Sequence, residues 1–238
     1  MEQLLLDWFA LSGRDLPWRH TRDPYAILVS EVMLQQTQVE RVVPRYRAWL
    51  ERWPTVDALA AAPTADVIRE WQGLGYNRRG LNLQRAARTI AARGWPNDLT
   101  RLPGVGPYTA AAIRCFALNE DVLPVDVNVE RVQRRTGTQF TAASAQALMD
   151  LGATICLARI PRCGECPLAQ ECPSRGIREE PARRQGLFEG SFRQRRSTTL
   201  RVVAARPSAL GELDREAVRS LERDGLVVVE DGLVSLPG

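Results

Sequence analysis

Residues 156–172 restrict this chain more than any other stretch. Four of its five cysteines fall there as Cys156, Cys163, Cys166 and Cys172, spaced C-x6-C-x2-C-x5-C. Pro161 and Pro167 interrupt the window, so it cannot run as one helix. It reads as a loop wrapped around something that binds four thiolates. Such a site holds zinc or an iron–sulfur cluster, and generic spacing does not choose between them. Two disulfides would require an oxidising compartment. The opening Met-Glu-Gln-Leu-Leu-Leu-Asp-Trp-Phe-Ala has no basic leader region or cleavage site, and no apolar run approaches membrane-spanning length. A soluble, cytoplasmic protein is therefore expected. Cys115, in an apolar stretch, reads as a small buried hydrophobe.

A chain of 238 residues fits one large domain or two small ones. Its net charge of +4 permits a polyanionic partner. All 32 basic residues are arginine, so no side-chain amine exists to form a Schiff base. Apolar periodicity predicts helices over 2–11, 25–38, 40–52, 56–61, 64–72, 78–93, 98–102, 107–118, 128–136 and 142–158. Residues 1–180 thus read as all-α. A basic linker at 181–196 leads to a small α+β module at 197–238. That module has a helix near 194–205, a second capped by Asp214, and two apolar runs around Asp231-Gly232, a hairpin signature.

Three features carry chemistry. Leu102-Pro-Gly104-Val-Gly106-Pro-Tyr108 joins two helices by a turn that is either a plain connection or one whose glycines allow N–H groups to aim outward at a phosphate. In Ile27-Leu-Val-Ser-Glu31-Val-Met-Leu34, a helical step of about 100° puts Glu31 within an apolar arc. Burial there disfavours its charged form, the condition for a general acid near neutral pH. Asp126 precedes a helix as an N-cap or as a second carboxylate opposite Glu31. Such a pair breaks glycosidic bonds through an oxocarbenium-like state.

Together the cysteine spacing, the Leu-Pro-Gly-Val-Gly hairpin and the following Asp resemble the helix–hairpin–helix DNA glycosylases that carry an iron–sulfur cluster. Pro17-Trp18-Arg19, Ser30-Glu31-Val-Met-Leu-Gln-Gln-Thr-Gln-Val39, Gly73-Leu-Gly75-Tyr76 and Leu148-Met-Asp150-Leu-Gly-Ala resemble, within them, the adenine DNA glycosylases of the MutY type. Related lyases such as endonuclease III have lysine at the place of Tyr108, so the resemblance implies a monofunctional N-glycosylase without strand cutting. It implies two helical lobes, 1–22 with 135–180 bearing the cluster and 23–134 bearing the hairpin, followed by a winged-helix-like module. Glu31 would protonate N7 of an extruded adenine. Asp126 would stabilise the sugar cation, with Tyr108 and Asn128 shaping the site. Trp18, Arg19, Leu34 and Gln146 would line the base pocket, and Gln36, Thr37 and Tyr76 would probe the gap in the helix. Gly104 and Gly106 would grip a phosphate. Cys156, Cys163, Cys166 and Cys172 would hold a [4Fe–4S] cluster, zinc being the alternative, and brace a DNA-binding loop with Arg159 and Arg162.

The implied partner is double-stranded DNA with a mispaired or lesion-opposed base, met by a monomer. Members that find adenine opposite 8-oxoguanine usually carry a sizeable C-terminal domain, and the tail here is a smaller module. Excision of adenine opposite 8-oxoguanine or guanine is therefore the first expectation. Removal of thymine or uracil opposite guanine, or a non-catalytic iron–sulfur DNA-binding or redox-sensing protein, are the alternatives.

Overall fold

The computed structural model describes residues 1–180 and 186–238, so the first part of the expected linker, 181–185, lies outside the described residues. In chain order the helices are α1 (Glu2–Ser12), α2 (Pro24–Leu34), α3 (Val39–Arg52), α4 (Val56–Ala61), α5 (Thr64–Trp71), α6 (Arg78–Arg93), α7 (Pro107–Phe116), α8 (Val127–Thr136), α9 (Ala145–Thr154), α10 (Phe192–Ala205) and α11 (Arg215–Arg223). Strands β1 (Ser208–Ala209), β2 (Val228–Glu230) and β3 (Leu233–Ser235) form one small antiparallel sheet in the order β1-β3-β2. Among the described residues, no helix is long and apolar enough to cross a membrane.

The ends of the helices have local causes. Pro24 opens α2 at the position where its missing N–H is harmless. The helix stops at Leu34, short of the expected residue 38, because the backbone turns left-handed at Gln36 (φ 57°). A single helix over 142–158 is replaced by a 3-10 turn at Ala142–Ser144 and then α9. That helix ends before the cysteine window, and the Cys156 N–H returns to the Leu151 carbonyl at 2.7 Å. The expected helix at 98–102 is one 3-10 turn, Leu99–Arg101, with Asp98 as its cap.

By internal packing the chain divides into two units, Met1–Ile27 with Gly106–Arg184, and Leu28–Val105 with Gln185–Gly238. These boundaries differ from the expected lobes because α7 and α8 belong with the first unit. Val129 and Val132 of α8 share its core with Leu5, Leu148, Leu151 and Leu168, against which Cys156 and Cys166 pack. In the second unit the Trp49 and Trp71 rings meet edge to face, with centroids 5.5 Å apart.

The tail packs within the second unit. Leu200, Val203, Val218, Leu221, Leu226, Val227 and Val234 form one cluster with Ile68 of α5 and Leu81 of α6. Burying each such side chain contributes about 1.5–3 kcal/mol, so the tail and these helices share a core. Asp231 and Gly232 both have positive φ (49° and 76°) between the paired Glu230 and Leu233, as a tight hairpin turn requires. The linker expected to reach residue 196 ends sooner, since Ser191 caps α10 through its side chain.

Candidate active site

In the first unit, Asp126 ends the loop that leads into α8. Its Oδ1 accepts the N–H groups of Asn128 and Val129 at 2.9 and 2.7 Å, and its Oδ2 accepts Asn128 Nδ2 at 2.9 Å. The negative charge therefore sits on the positive end of a helix, held in one orientation. Asn128 is oriented in turn by buried Arg131, whose Nη2 donates to Asn128 Oδ1 at 2.8 Å and to the Gly152 carbonyl at 2.7 Å. The Arg131 Nε donates to the carbonyl of Cys156 at 2.7 Å. A continuous set of bonds thus runs from the first cysteine of the window to the carboxylate of Asp126. Gly152 allows it: a Cβ there would lie 2.6 Å from that of Asn128. Neither Arg131 nor Gly152 is marked by sequence reasoning.

None of the five cysteines is joined in a disulfide. Cys156, Cys163, Cys166 and Cys172 line one cavity of about 20 Å³, walled by Val132, Leu151, Ile155 and Leu168. Burial pushes the Cys166 thiol up, the Leu168 N–H pulls it down, and the charges of the other three thiols push it up again. Among the described residues, no three His, Cys, Asp or Glu stand close enough together to hold a single ion. Two sulfurs accept N–H bonds, Cys156 from Arg135 Nη1 at 3.4 Å and Cys163 from the Gly176 backbone at 3.3 Å. Arg135 also donates to the carbonyls of Leu157 and Ala158, holding the loop on which Arg159 and Arg162 stand exposed. Its burial works against its charge, but Cys156 and Glu179 outweigh that and strengthen its hold on the proton.

Trp18, Arg19 and Gln146 line a second, larger cavity of about 470 Å³, with Cys115 and Phe116 of α7. Cys115 is thus partly exposed at this wall and not fully buried as expected. Arg19 is more anchor than free donor. Its two Nη atoms bond both oxygens of Asp150 at 2.9 and 2.8 Å, and its face lies over the Phe9 ring. Asp150, 1 % exposed, also accepts the backbone N and Nε of Arg14, each at 2.8 Å. Burial alone would raise the Asp150 carboxyl, but these bonds hold it below the usual carboxylate range.

Tyr108 is half-buried in the first turn of α7. Of the two hairpin glycines, only Gly104 needs to be glycine for its backbone, with φ 80° and the Asn82 Cβ 2.9 Å from where its own would be. Gly106 is extended, and nothing lies within 4 Å of a Cβ there, which leaves the α7 N-terminus open.

In the second unit, Glu31 is 6 % exposed. Every residue of α2 from Tyr25 to Met33 is buried, so burial extends round the whole helix and not only along the expected arc. Leu34 is half-buried at its end. Gln36 and Tyr76 both stand exposed on left-handed backbone, with φ 57° and 46°. Thr37 lies between these two turns, its Oγ1 donating to the Leu74 carbonyl at 3.3 Å.

Residues 29–153 match the profile of the HhH-GPD superfamily base excision DNA repair proteins. The chain is 41% identical to the adenine DNA glycosylase of Mycobacterium tuberculosis (strain CDC 1551 / Oshkosh), over 98% of this chain and 92% of that one. The alignment spans 290 residues, more than the chain contains, so the relative carries stretches that are missing here. The human adenine DNA glycosylase is 37% identical over 79% of this chain and 42% of its own length. In structure, the chain is similar to a thermostable thymine-DNA glycosylase, with a TM-score of 0.66 and 27% identity over 73% of this chain and 94% of that one. It also shares the fold of endonuclease III trapped on DNA, at a TM-score of 0.63 and 22% identity over 73% of this chain and 92% of that one.

Proposed function

Because the chain belongs to the HhH-GPD superfamily of base excision DNA repair proteins, we propose that it is a monofunctional adenine DNA glycosylase. It acts on adenine mispaired with 8-oxoguanine or guanine in double-stranded DNA. An identity of 41% over 98% of this chain to an adenine DNA glycosylase supports the substrate base, and the absence of lysine supports hydrolysis without a Schiff base. The observation that carries the mechanism is the carboxyl of Glu31, enclosed in a helix with almost no exposure to water.

The adenine must leave the base stack before any side chain reaches it, at a cost of a few kcal/mol that is smaller for a mispaired base. Glu31 gives its proton to N7, and the N-glycosidic bond breaks with its electron pair going to adenine. Asp126, fixed by the α8 N-terminus and Asn128, stabilises the positive sugar carbon. Water adds to that carbon, and its proton returns to a carboxylate. Trp18 and Gln146 border the base, Arg19 holds the Trp18 turn through Asp150, and Tyr108 closes the sugar side. Gly104 and Gly106 leave backbone N–H groups open to a phosphate.

Cys156, Cys163, Cys166 and Cys172 would hold the [4Fe–4S] cluster. Four cysteines lining one largely apolar cavity, with N–H donors to two of the sulfurs, fit a group bound by four thiolates. Bound there, it would brace the loop carrying Arg159 and Arg162, whose positive charges would meet the DNA backbone.

The test is base release from duplexes carrying A, T or U opposite G or 8-oxoguanine. Release of adenine alone supports the reading. Release of T or U moves the enzyme to another base, and no release from any duplex leaves a DNA-binding protein.

A further inference from the structure

Arg79, in the first turn of α6, joins two turns far apart in sequence. Its Nη1 donates to the carbonyls of Val32 and Met33 at 2.8 and 3.1 Å, and to that of Gln35. Its Nη2 donates to Thr37 Oγ1 at 3.0 Å and to the carbonyls of Leu74 and Gly75, each at 3.1 Å. The guanidinium satisfies the last carbonyls of α2, which have no partner within the helix, and ties them to the loop before Tyr76. Its carbon lies 5.4 Å from the Trp71 ring centre and 5.7 Å from that of Tyr76. Burial lowers its pKa to about 10, so it stays charged at neutral pH.

What this fork holds apart from the core is unusual backbone. Gln36 and Tyr76 are two of four non-glycine residues with positive φ among the described residues. Such conformations cost about 1–3 kcal/mol and persist only where their surroundings impose them. Each flanks a carbonyl that Arg79 binds. Tyr76 is nonetheless 49% exposed, an aromatic ring presented to solvent from a rigid turn.

We propose that Arg79 is a positioning residue for base extrusion. By joining the two turns, it sets the spacing and direction of Gln36 and Tyr76, the side chains that enter the duplex in the reading above, on which this inference rests. A lysine would keep the charge but lose the planar fork, and three donors on one nitrogen cannot reproduce the bonds that two nitrogens make to both turns.

The experiment places 2-aminopurine at the target position, where its fluorescence rises on unstacking, and measures single-turnover base release from adenine duplexes. Wild type, Arg79→Lys and Arg79→Gln are compared in the native background and with Gln36→Ala and Tyr76→Ala combined, well below every unfolding midpoint. Arg79→Lys should reduce both signals about tenfold in the native background and add no further loss in the combined one, the signature of residues acting as a unit. Unchanged extrusion in Arg79→Lys overturns the proposal. So does a loss that multiplies fully into the combined variant, since that is a general folding effect. If Arg79→Lys does not fold, Arg79→Gln decides on the same criteria. Wild type that extrudes but releases no base removes the glycosylase reading and leaves Arg79 tested by fluorescence; wild type that does neither removes both.

Discussion

Arg131 Nη2 donates to Asn128 Oδ1 at 2.8 Å, and this bond decides which way round the Asn128 amide lies. With its oxygen held by a guanidinium, the amide must turn its NH2 to Asp126. Arg131→Met keeps an unbranched apolar stem but leaves the carbonyls of buried Gly152 and half-buried Cys156 without the donor they have now. Each unsatisfied group costs about 1–3 kcal/mol, and the expected loss is about 3 kcal/mol in urea unfolding. Base release should slow at least about tenfold, and Asn128→Ala combined with it should add little, since both act on Asp126 through one path.

Glu31→Gln keeps the shape of the acid and removes its proton-donating strength. Base release should fall by about 10²–10⁴-fold in single-turnover assays, with duplex affinity within a few-fold of wild type. A variant that still releases adenine at the wild-type rate would place the proton donor elsewhere.

Asp150→Asn removes the charge that two arginines share. With Asp150 fully enclosed and Arg19 largely so, about 3–5 kcal/mol of stability should be lost. The folded carboxyl is held below its ordinary value near 3.8, so its contribution is present above that value and disappears as pH falls through the lower, folded one. Acid unfolding of wild type below about pH 4 should therefore be steeper than that of Asp150→Asn. Equal acid slopes would mean that Asp150 is not the responsible group.

Purified protein should be brown and contain about four iron and four sulfide per chain. Cys163→Ala should bleach it and lower duplex affinity through the loop with Arg159 and Arg162. Because Arg131 bonds the Cys156 carbonyl, excision should also slow when the loop loosens. A colourless protein with one zinc would sink the cluster assignment.

Apolar spacing is enough to locate α3, α5 and α6, whose core positions recur every three or four residues. It is blind to where α2 stops, because Gln36 turns left-handed to suit Arg79, a partner more than forty residues away. The cysteine window, Glu31 and Asp126 stand out as residue types whose chemistry is rare in their surroundings. Arg79 and Arg131 do not. In a chain with 32 basic residues, all arginine, nothing local distinguishes a buried guanidinium serving carbonyls from one that is solvated. Arg19 shows the converse: its motif is visible, but its commitment to Asp150 appears only when residues 131 apart in sequence meet. Strand β1 is two residues long and pairs only with β3, too short for an alternating pattern to register.

The tail provides the last prediction. The sequence reads as a small module after a linker, yet Leu221, Leu226 and Val234 share a core with Ile68 and Leu81. Arg69 Nε also donates to the Ala204 carbonyl at 3.1 Å, and Arg78 pairs with Asp224. Leu221→Ala should cost about 2–5 kcal/mol, as for any large-to-small change in a packed core. If Ile68 and Leu81 depend on the tail for cover, ending the chain at residue 185 exposes them and lowers the unfolding midpoint of the remainder. Thermal unfolding of the truncated chain separates the two cases. A midpoint equal to that of the full chain would restore the tail as an independent module. A fall together with that caused by Leu221→Ala means that α5, α6 and residues 192–238 fold as one body, in which the small sheet completes the catalytic domain's own core.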